Sequence, residues 1–328
     1  MKEIRLGTIG SGPIVHKVLD EVMRVEGISL EAVYSRTEEK GRALAEEYHC
    51  KKVYTDMDAF LADGEIRAVY IATPNLLHYG QARRALLAGK HVLCEKPFVT
   101  KLSQARELAE LAKEKHLMLT EMAPTICLPN FRAIQRELPK LGRIRLVMSN
   151  YSQYSSRYDL VLKGEKPNIF LPDFAGGSFM DINFYNILLN VALFGKPCKA
   201  EYYPNLYPGL ADTSGVMVMQ YDGFVSQNAG AKDTWGVNFF QIEGEKGYLY
   251  IEDGSNGIRR FRVVTKTTDQ TFNDQPDPSR LYYEVQEMAR LLREEDFDAF
   301  QNRMEVTLQT IEVMETARKA AGILFPGD

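Results

Sequence analysis

Near the start of the chain a short β-branched run, Ile4 to Ile9, leads into Gly10-Ser11-Gly12-Pro13-Ile14-Val15, a G-x-G-x-x-apolar turn set between a strand pattern and a helical one. Glycine at position 10 permits the tight turn. At position 12 the missing side chain lets a pyrophosphate approach the backbone, where the next helix offers free N–H groups and the positive end of its dipole. The chemistry that fits is capture of a nicotinamide dinucleotide by Gly10, Ser11, Gly12, Pro13 and Ile14; a glycine turn that merely closes a βα unit has the same letters. The second strand pattern ends in Tyr34-Ser35-Arg36-Thr37, two hydroxyls and a guanidinium where an acidic residue normally accepts the ribose 2′-hydroxyl. Ser35, Arg36 and Thr37 suit a 2′-phosphate through charge-assisted hydrogen bonds, which favours NADP(H) over NAD(H). The alternative leaves Arg36 solvated and gives the ribose of NAD to Glu38 or Glu39.

Proton transfer needs a second set of groups. All five histidines (His16, His49, His78, His91, His116) fall in the first 116 residues, so acid–base chemistry in the rest must use carboxylate, tyrosine, lysine or a side chain from the first third. The segment Phe179 to Phe194 follows Gly176-Gly177-Ser178 and carries Asp181, Asn183, Tyr185 and Asn186. So many polar groups on one helix are costly to bury unpaired, and the expectation is that they line a polyol site. Arg157, within Tyr154-Ser155-Ser156-Arg157-Tyr158-Asp159, either binds a phosphate or carboxylate of the substrate or forms a surface salt bridge. Tyr151, Tyr154 and Tyr158 either stack on a sugar face or pack within a strand. The four cysteines (Cys50, Cys94, Cys127, Cys198) form no CxxC pair and read as reduced thiols; with no HExxH and no clustered His and Cys, no metal is expected.

These groups need elements to hold them. From Ile4 to Glu121, β-branched runs at Ile4 to Ile9, Ile28 to Tyr34, Ala68 to Ala72, His91 to Cys94 and Leu117 to Glu121 alternate with helical patterns at Glu38 to Tyr48, Leu76 to Ala88 and Leu102 to Lys115. That rhythm is a βαβ parallel sheet. After about residue 122 the pattern changes. Ile144 to Tyr151 alternates like a strand, and Ala200 to Val264 holds several strand-like segments, among them the hairpin signal Tyr221-Asp222-Gly223-Phe224. Thr265 to Arg280 reads as a polar loop, Leu281 to Arg293 and Gln301 to Ala321 as helices. The expected fold class is α/β plus α+β. A Rossmann dinucleotide-binding domain spans residues 1–122, and an α+β domain spans residues 123–328. The second has an open, largely antiparallel sheet with Phe179 to Phe194 on one face, and the terminal helix packs back on the first domain.

Composition narrows the partners. The 328 residues are 45% hydrophobic, with 40 Lys plus Arg against 44 Asp plus Glu and a net charge of −4, which argues against a nucleic-acid surface. The apolar stretches, such as Ala68 to Ala72 and Ile187 to Phe194, are far shorter than the roughly 20 residues that span a bilayer. Met1 to Gly10 runs into a strand pattern without a basic start and apolar core, so a cytoplasmic protein with a small-molecule substrate is expected.

Ala72-Thr73-Pro74-Asn75-Leu76-Leu77-His78, followed by Ala88-Gly89-Lys90-His91-Val92-Leu93-Cys94-Glu95-Lys96-Pro97-Phe98, resembles the signature of the Gfo/Idh/MocA oxidoreductases, which include glucose-fructose oxidoreductase and inositol dehydrogenase. The resemblance continues through Gly176-Gly177-Ser178-Phe179-Met180-Asp181-Ile182-Asn183-Phe184-Tyr185 to the terminal helices. It implies that Thr73, Pro74, Asn75, His78, Glu95 and Lys96 meet the cofactor, and that Lys96 lies beside the nicotinamide as general acid or base. A partly desolvated lysine near a cofactor cation can have its pKa lowered from about 10.4 toward neutrality, which suits that task. The family's second motif usually reads Gly-Gly-x-x-x-Asp-x-Gly-x-His. Here it gives Asp181 and Tyr185, with Asn183 in place of the glycine; Asp181 and Tyr185 either share the catalytic work, or Asp181 caps and Tyr185 packs.

The function implied is hydride transfer between a nicotinamide cofactor and a carbohydrate, polyol or related carbonyl substrate, bound by Lys96, Arg157, Asp181, Tyr185 and Asn186. Two alternatives use the same scaffold: a glycosidase-type enzyme that retains its nicotinamide, and a nucleotide-sensing regulator without catalysis. The open sheet face, with Val216 to Tyr221 and Val237 to Ile242, must be covered by something, and the resemblance implies a homodimer or homotetramer, with residues 123–328 as the substrate-binding and oligomerisation domain.

Overall fold

The computed structural model describes residues 3–328, and the chain divides into two compact units: residues up to Ala123 with Ser279–Leu308, and Pro124–Pro278 with Gln309–Asp328. The first unit alternates strand and helix: β1 (Ile4–Ile9), α1 (Pro13–Val22), β2 (Ile28–Tyr34), α2 (Glu38–Glu47), β3 (Lys52–Tyr54), α3 (Met57–Ala62), β4 (Ala68–Ile71), α4 (His78–Leu87), β5 (His91–Glu95), α5 (Leu102–Glu114) and β6 (Leu119–Met122). Its strands pair in parallel in the order β3-β2-β1-β4-β5-β6. Such a sheet is covered on both faces, so its strands read as continuous apolar runs; all four residues of β4 are buried. The order reverses between β1 and β4. A crevice opens at the carboxyl ends of strands on either side of such a reversal, and ligands of α/β sheets bind there.

The second unit contains α6 (Pro129–Glu137), β7 (Ile144–Ser152), α7 (Tyr158–Leu162), α8 (Phe184–Phe194), β8 (Lys199–Leu206), β9 (Asp212–Tyr221), β10 (Phe224–Ala231), β11 (Phe239–Gly244), β12 (Gly247–Glu252), β13 (Phe261–Thr265) and β14 (Asp269–Phe272). The strands form one sheet in the order β14-β13-β12-β11-β7-β10-β9-β8. Neighbours are antiparallel except β7 and β10, which run parallel. Helix α8 packs on β7 and β10, over a face where Val147, Met217, Met219, Phe240, Ile242, Leu249 and Ile251 are buried. The chain then returns through α9 (Arg280–Glu294) to the first unit, and α10 (Phe297–Ala320) divides between the units after Leu308. No helix among the described residues is long and apolar enough to cross a membrane.

Three stretches differ from the sequence expectation. Strand β3 and helix α3 fall in a stretch with no periodic pattern: β3 has three half-buried residues at the sheet edge, and α3 has six. A local signal was there, because the Asp56 side chain accepts the Ala59 N–H at 2.7 Å and caps α3. The Thr265 to Arg280 stretch is not a loop throughout, since it contains β14. That strand lies at the sheet edge, pairs through its backbone with β13 alone and points mostly polar side chains to solvent, so it lacks apolar alternation. Finally, Phe179 to Phe194 is not one regular helix; Phe179–Asn183 form a π-helical turn before α8 begins.

Candidate functional site

The glycine turn and the end of β2 come together in a cleft of about 610 Å³ in the first unit. Gly10, Ser11, Gly12, Ser35, Arg36, Thr37, Thr73 and Pro74 line it, joined by Tyr34, Lys40, Leu77 and Gln81. Gly10 has φ +127°, and a Cβ there would meet the Ala72 carbonyl oxygen at 2.3 Å, so the turn folds back on the end of β4 only with glycine. A Cβ at Gly12 would have nothing within 4 Å: the space in front of it is open. Gly12 is also the N-cap of α1 and no side chain caps that helix, which leaves its first N–H groups to an anionic ligand. At the other end Arg36 and Lys40 are exposed cations, and no carboxylate is among the lining residues. Glu38 instead pairs with Arg42 one turn along α2. These features fit a dinucleotide, the pyrophosphate at Gly12 and α1 and a phosphorylated ribose at Ser35 to Lys40.

Pro13, Ile14, Asn75, His78, Glu95 and Lys96 are not among the residues lining this cleft. Lys96 follows β5, is half-buried, and is joined to Pro97 by a cis peptide. Its turn is held from three sides. Glu95 Oε2 accepts the Lys96 N–H at 3.2 Å, while Glu95 Oε1 accepts from the Tyr70 hydroxyl at 2.8 Å. Glu121 Oε1 accepts the Phe98 N–H at 2.8 Å, and Glu121 Oε2 accepts from Thr307 at 3.1 Å. His78, expected against the cofactor, is instead a buried strut. Its Nδ1 lies 3.0 Å from the Pro97 carbonyl oxygen and 3.2 Å from that of Phe98, its Nε2 2.8 Å from that of Thr73, so whichever nitrogen carries the proton donates to a carbonyl. Burial pushes its pKa down and favours the neutral ring. The strut ties the loop after β4 to the turn that carries Lys96.

The remaining candidates lie in the second unit. The π-helical turn is fixed at its entry by Asp212, whose Oδ2 accepts the Phe179 N–H and the Tyr202 hydroxyl, each at 2.7 Å. Burial pushes the Asp212 carboxyl up to about 7. Within the turn Asp181 forms an ion pair with Lys232. Tyr185 is buried, its ring edge-on to Tyr151 at 5.9 Å and to Phe184 at 5.5 Å. Asn186 does not line an open site: it is fully buried, and its side-chain groups are taken by Asn183, the Ala229 carbonyl and Ser255 at 2.7–3.0 Å. The network continues through Asn190, Asn228, Ser226 and Ser149, so the asparagines satisfy one another beneath the sheet. Arg157 is exposed at the N-cap of α7, and among the described residues its guanidinium makes no ion pair. Tyr154 stacks on Trp235 at 5.5 Å, and Tyr158 packs edge-on against Phe170.

The model of the oxidoreductase family with an NAD-binding Rossmann fold, GFO_IDH_MocA, matches residues 4–122. Along its whole length the chain is 36% identical to the scyllo-inositol 2-dehydrogenase (NADP(+)) IolU of Bacillus subtilis, an alignment of 330 residues that covers 99% of each protein. The chain belongs to the Gfo/Idh/MocA oxidoreductase family. It is also 34% identical to the uncharacterized oxidoreductase YgjR of Escherichia coli, over 99% of this chain and 98% of that one. Among solved structures, a 3-ketoreductase from Actinomadura kijaniata in complex with NADP and TDP-benzene shares the fold, with a TM-score of 0.84 at 21% identity over 97% of this chain and 98% of that one.

In this Gfo/Idh/MocA oxidoreductase, several residues at the candidate site carry no motif. Lys40 and Gln81 reach the cleft from α2 and α4, one turn beyond the letters that mark it. Glu121 supports the Lys96 turn from the neighbouring strand, and Lys232 meets Asp181 from 51 residues away. Only helical spacing from Thr37 and His78 could have pointed to the first two.

Proposed function

We propose that this protein is an NADP-dependent oxidoreductase that interconverts a CH–OH group and a carbonyl on a carbohydrate, a polyol or a related compound, with Lys96 as the general acid or base. The observation that carries the cofactor half is the ribose end of the cleft, lined by Ser35, Arg36, Thr37 and Lys40 and by no carboxylate. Two cations and two hydroxyls favour a 2′-phosphate, and a carboxylate there would repel it. The substrate half is supported by the full-length relative, named a scyllo-inositol 2-dehydrogenase (NADP(+)), and by a D-xylose 1-dehydrogenase (NADP(+)) of Hypocrea jecorina that is 28% identical over 84% of this chain.

Gly10, Gly12 and the start of α1 bind the pyrophosphate, and Thr73 and Pro74 close the cleft over the β4 end. The bound nicotinamide supplies or accepts the hydride. Lys96 gives the reacting oxygen its proton in reduction and removes it in oxidation, from a turn that Glu95, Glu121 and His78 hold still. Asp181 orients a substrate hydroxyl as an acceptor, and Tyr185 shares the proton relay. Arg157 lies at the edge of the substrate site. The open face of the second unit's sheet pairs with a further copy of the chain.

The test is a titration with NADPH and with NADH, followed by nicotinamide fluorescence, on the parent and on a Ser35→Asp, Arg36→Ala double variant. Charge-assisted hydrogen bonds contribute roughly 1.5–3 kcal/mol, so the variant's NADPH affinity falls about 10- to 100-fold while NADH changes little. NADH binding as tightly as NADPH to the parent overturns the cofactor assignment. Turnover is then sought with inositols, aldoses and their keto forms.

A further inference from the structure

We propose that Lys232 is a positioning residue of the substrate site, holding the Asp181 carboxylate aimed at a substrate hydroxyl from a buried seat just beyond β10. The inference rests on the reading above, in which Asp181 meets the substrate, and it adds the group that makes Asp181 fit for that role.

The two members of the pair are unequally exposed: the side chain of Lys232 is 6% exposed and that of Asp181 33%. The cation therefore sits behind the carboxylate, which faces outward. An ammonium so nearly removed from water is tolerated only when paired, and Asp181 is the partner its Nζ reaches. Lys232 cannot easily move. Its N–H donates to the Thr213 carbonyl at 2.8 Å and its own carbonyl accepts from Ser155 at 2.9 Å, which fixes its backbone between β9 and the loop after β7.

Asp181 is fixed from the other side. Its N–H donates to the Gly177 carbonyl at 3.2 Å, inside the π-helical turn whose entry Asp212 holds. Strand and turn lie close because Gly230 has no side chain; a Cβ there would meet Asn183 Cβ at 2.6 Å. That close approach brings the end of β10, and Lys232 with it, against the turn.

A buried pair exchanged for apolar groups is often neutral or stabilising, because desolvation offsets the attraction. A geometry held this tightly, with the carboxylate outward and the ammonium behind, instead gives an acceptor of fixed direction. Substrates with a second hydroxyl beside the reacting carbon gain from such an acceptor, and simple ketones do not. The substrate class is thus narrowed to polyhydroxylated compounds.

The test is a double-mutant cycle in the full-length protein with NADPH or NADP and the best polyol or ketose found in the turnover screen. Lys232→Met is expected to lower kcat/KM about 100-fold, the order of loss that follows small misplacement of a substrate. Lys232→Arg, which keeps the cation, recovers most of it. Asp181→Asn loses a similar factor, and Lys232→Met added to Asp181→Asn costs nothing more, because Lys232 acts through Asp181. NADPH affinity stays within about twofold in all variants, since that cleft belongs to the first unit. Thermal unfolding accompanies each variant. If Lys232→Met alone is unfolded by its stranded partner, the double variant, which leaves no unpaired charge, is compared with Asp181→Asn and Lys232→Arg with the parent.

Parent-like kcat/KM in Lys232→Met, or losses from the two sites that multiply in the double variant, overturns the inference and leaves the oxidoreductase reading intact. A parent that binds NADPH but turns over no polyol or sugar overturns the substrate reading, and the inference with it.

Discussion

Lys96 stands where three hydrogen-bonded supports meet: Glu95 on its own N–H, Glu121 on that of Phe98, and the His78 ring on the carbonyls of Pro97 and Phe98. If Lys96 is the proposed general acid or base, it needs such a fixed seat, since such a group contributes about 10²- to 10⁴-fold only when well placed. Lys96→Met keeps the length and apolar stem but cannot transfer a proton. Its turnover is expected to fall by about that factor while NADPH binding persists; unchanged kcat on the true substrate removes Lys96 from the proton path. The residues legible in the sequence were those whose job constrains their type locally. Gly10 is read from its neighbours because no other residue fits against the Ala72 carbonyl, and Ser35 to Thr37 are read as cleft residues because they follow a strand end that opens on it. Lys232 was not legible, because what pairs it with Asp181 is the approach of β10 to a turn far away in the chain. Asn186 misled for a related reason: a polar helix face looks the same whether it meets a ligand or a strand bearing complementary amides.

Elements explain a feature of the first unit that no single residue does. Strand β5 brings Glu95, β6 brings Glu121 and α9 brings Glu284 into one buried region, where Glu95 raises the pKa of the other two and Glu121 raises that of Glu284, while Arg280 and Arg303 oppose the rise at Glu284. Glu284 is fully buried, and among the described residues neither of its carboxyl oxygens has a hydrogen-bond partner. Burial pushes it from 4.5 up to about 8, and Glu121 up to about 7. In the unfolded chain Glu284 ionises above about pH 4.5, whereas in the fold it keeps its proton to about pH 8. Over that window the unfolded state binds fewer protons, so the fold loses stability as pH rises. Glu284→Gln preserves the shape and removes the ionisation. Relative to the parent it is expected to gain stability between pH 5 and pH 7.5, on the order of 3 kcal/mol. Urea unfolding at the two pH values measures this, and an equal gap at both shows that Glu284 is not held neutral. The parallel sheet that gathers these acids was legible from its buried runs. The short edge elements β3, α3 and β14 were not, because an edge strand is held by its backbone and needs no apolar pattern.

At the scale of the whole molecule, the sheet of the second unit has one face covered by its own chain and one not. On the second face Leu146, Met148, Val216, Val218, Tyr248 and Tyr250 are half-buried, and Val225 and Tyr203 are exposed. The register sets these residues side by side: Leu146 opposes Val225, and Gln227 lies between Met148 and Val218. A broad face rich in apolar and aromatic residues on central strands needs cover, and the cover that requires no other molecule is the same face of a second copy. Two-fold pairing sets each residue of the patch against the patch itself, so every substitution enters the interface twice. Met148→Glu with Val218→Glu therefore places four carboxylates in one interface. Their desolvation and mutual repulsion exceed what the lost apolar contacts alone would cost. Light scattering is expected to give a dimer or larger assembly for the parent at micromolar concentration and a monomer for the double variant. NADPH binding survives in that monomer, because the nucleotide cleft is built entirely within the first unit. A parent chain that scatters as a monomer shows instead that the face meets water.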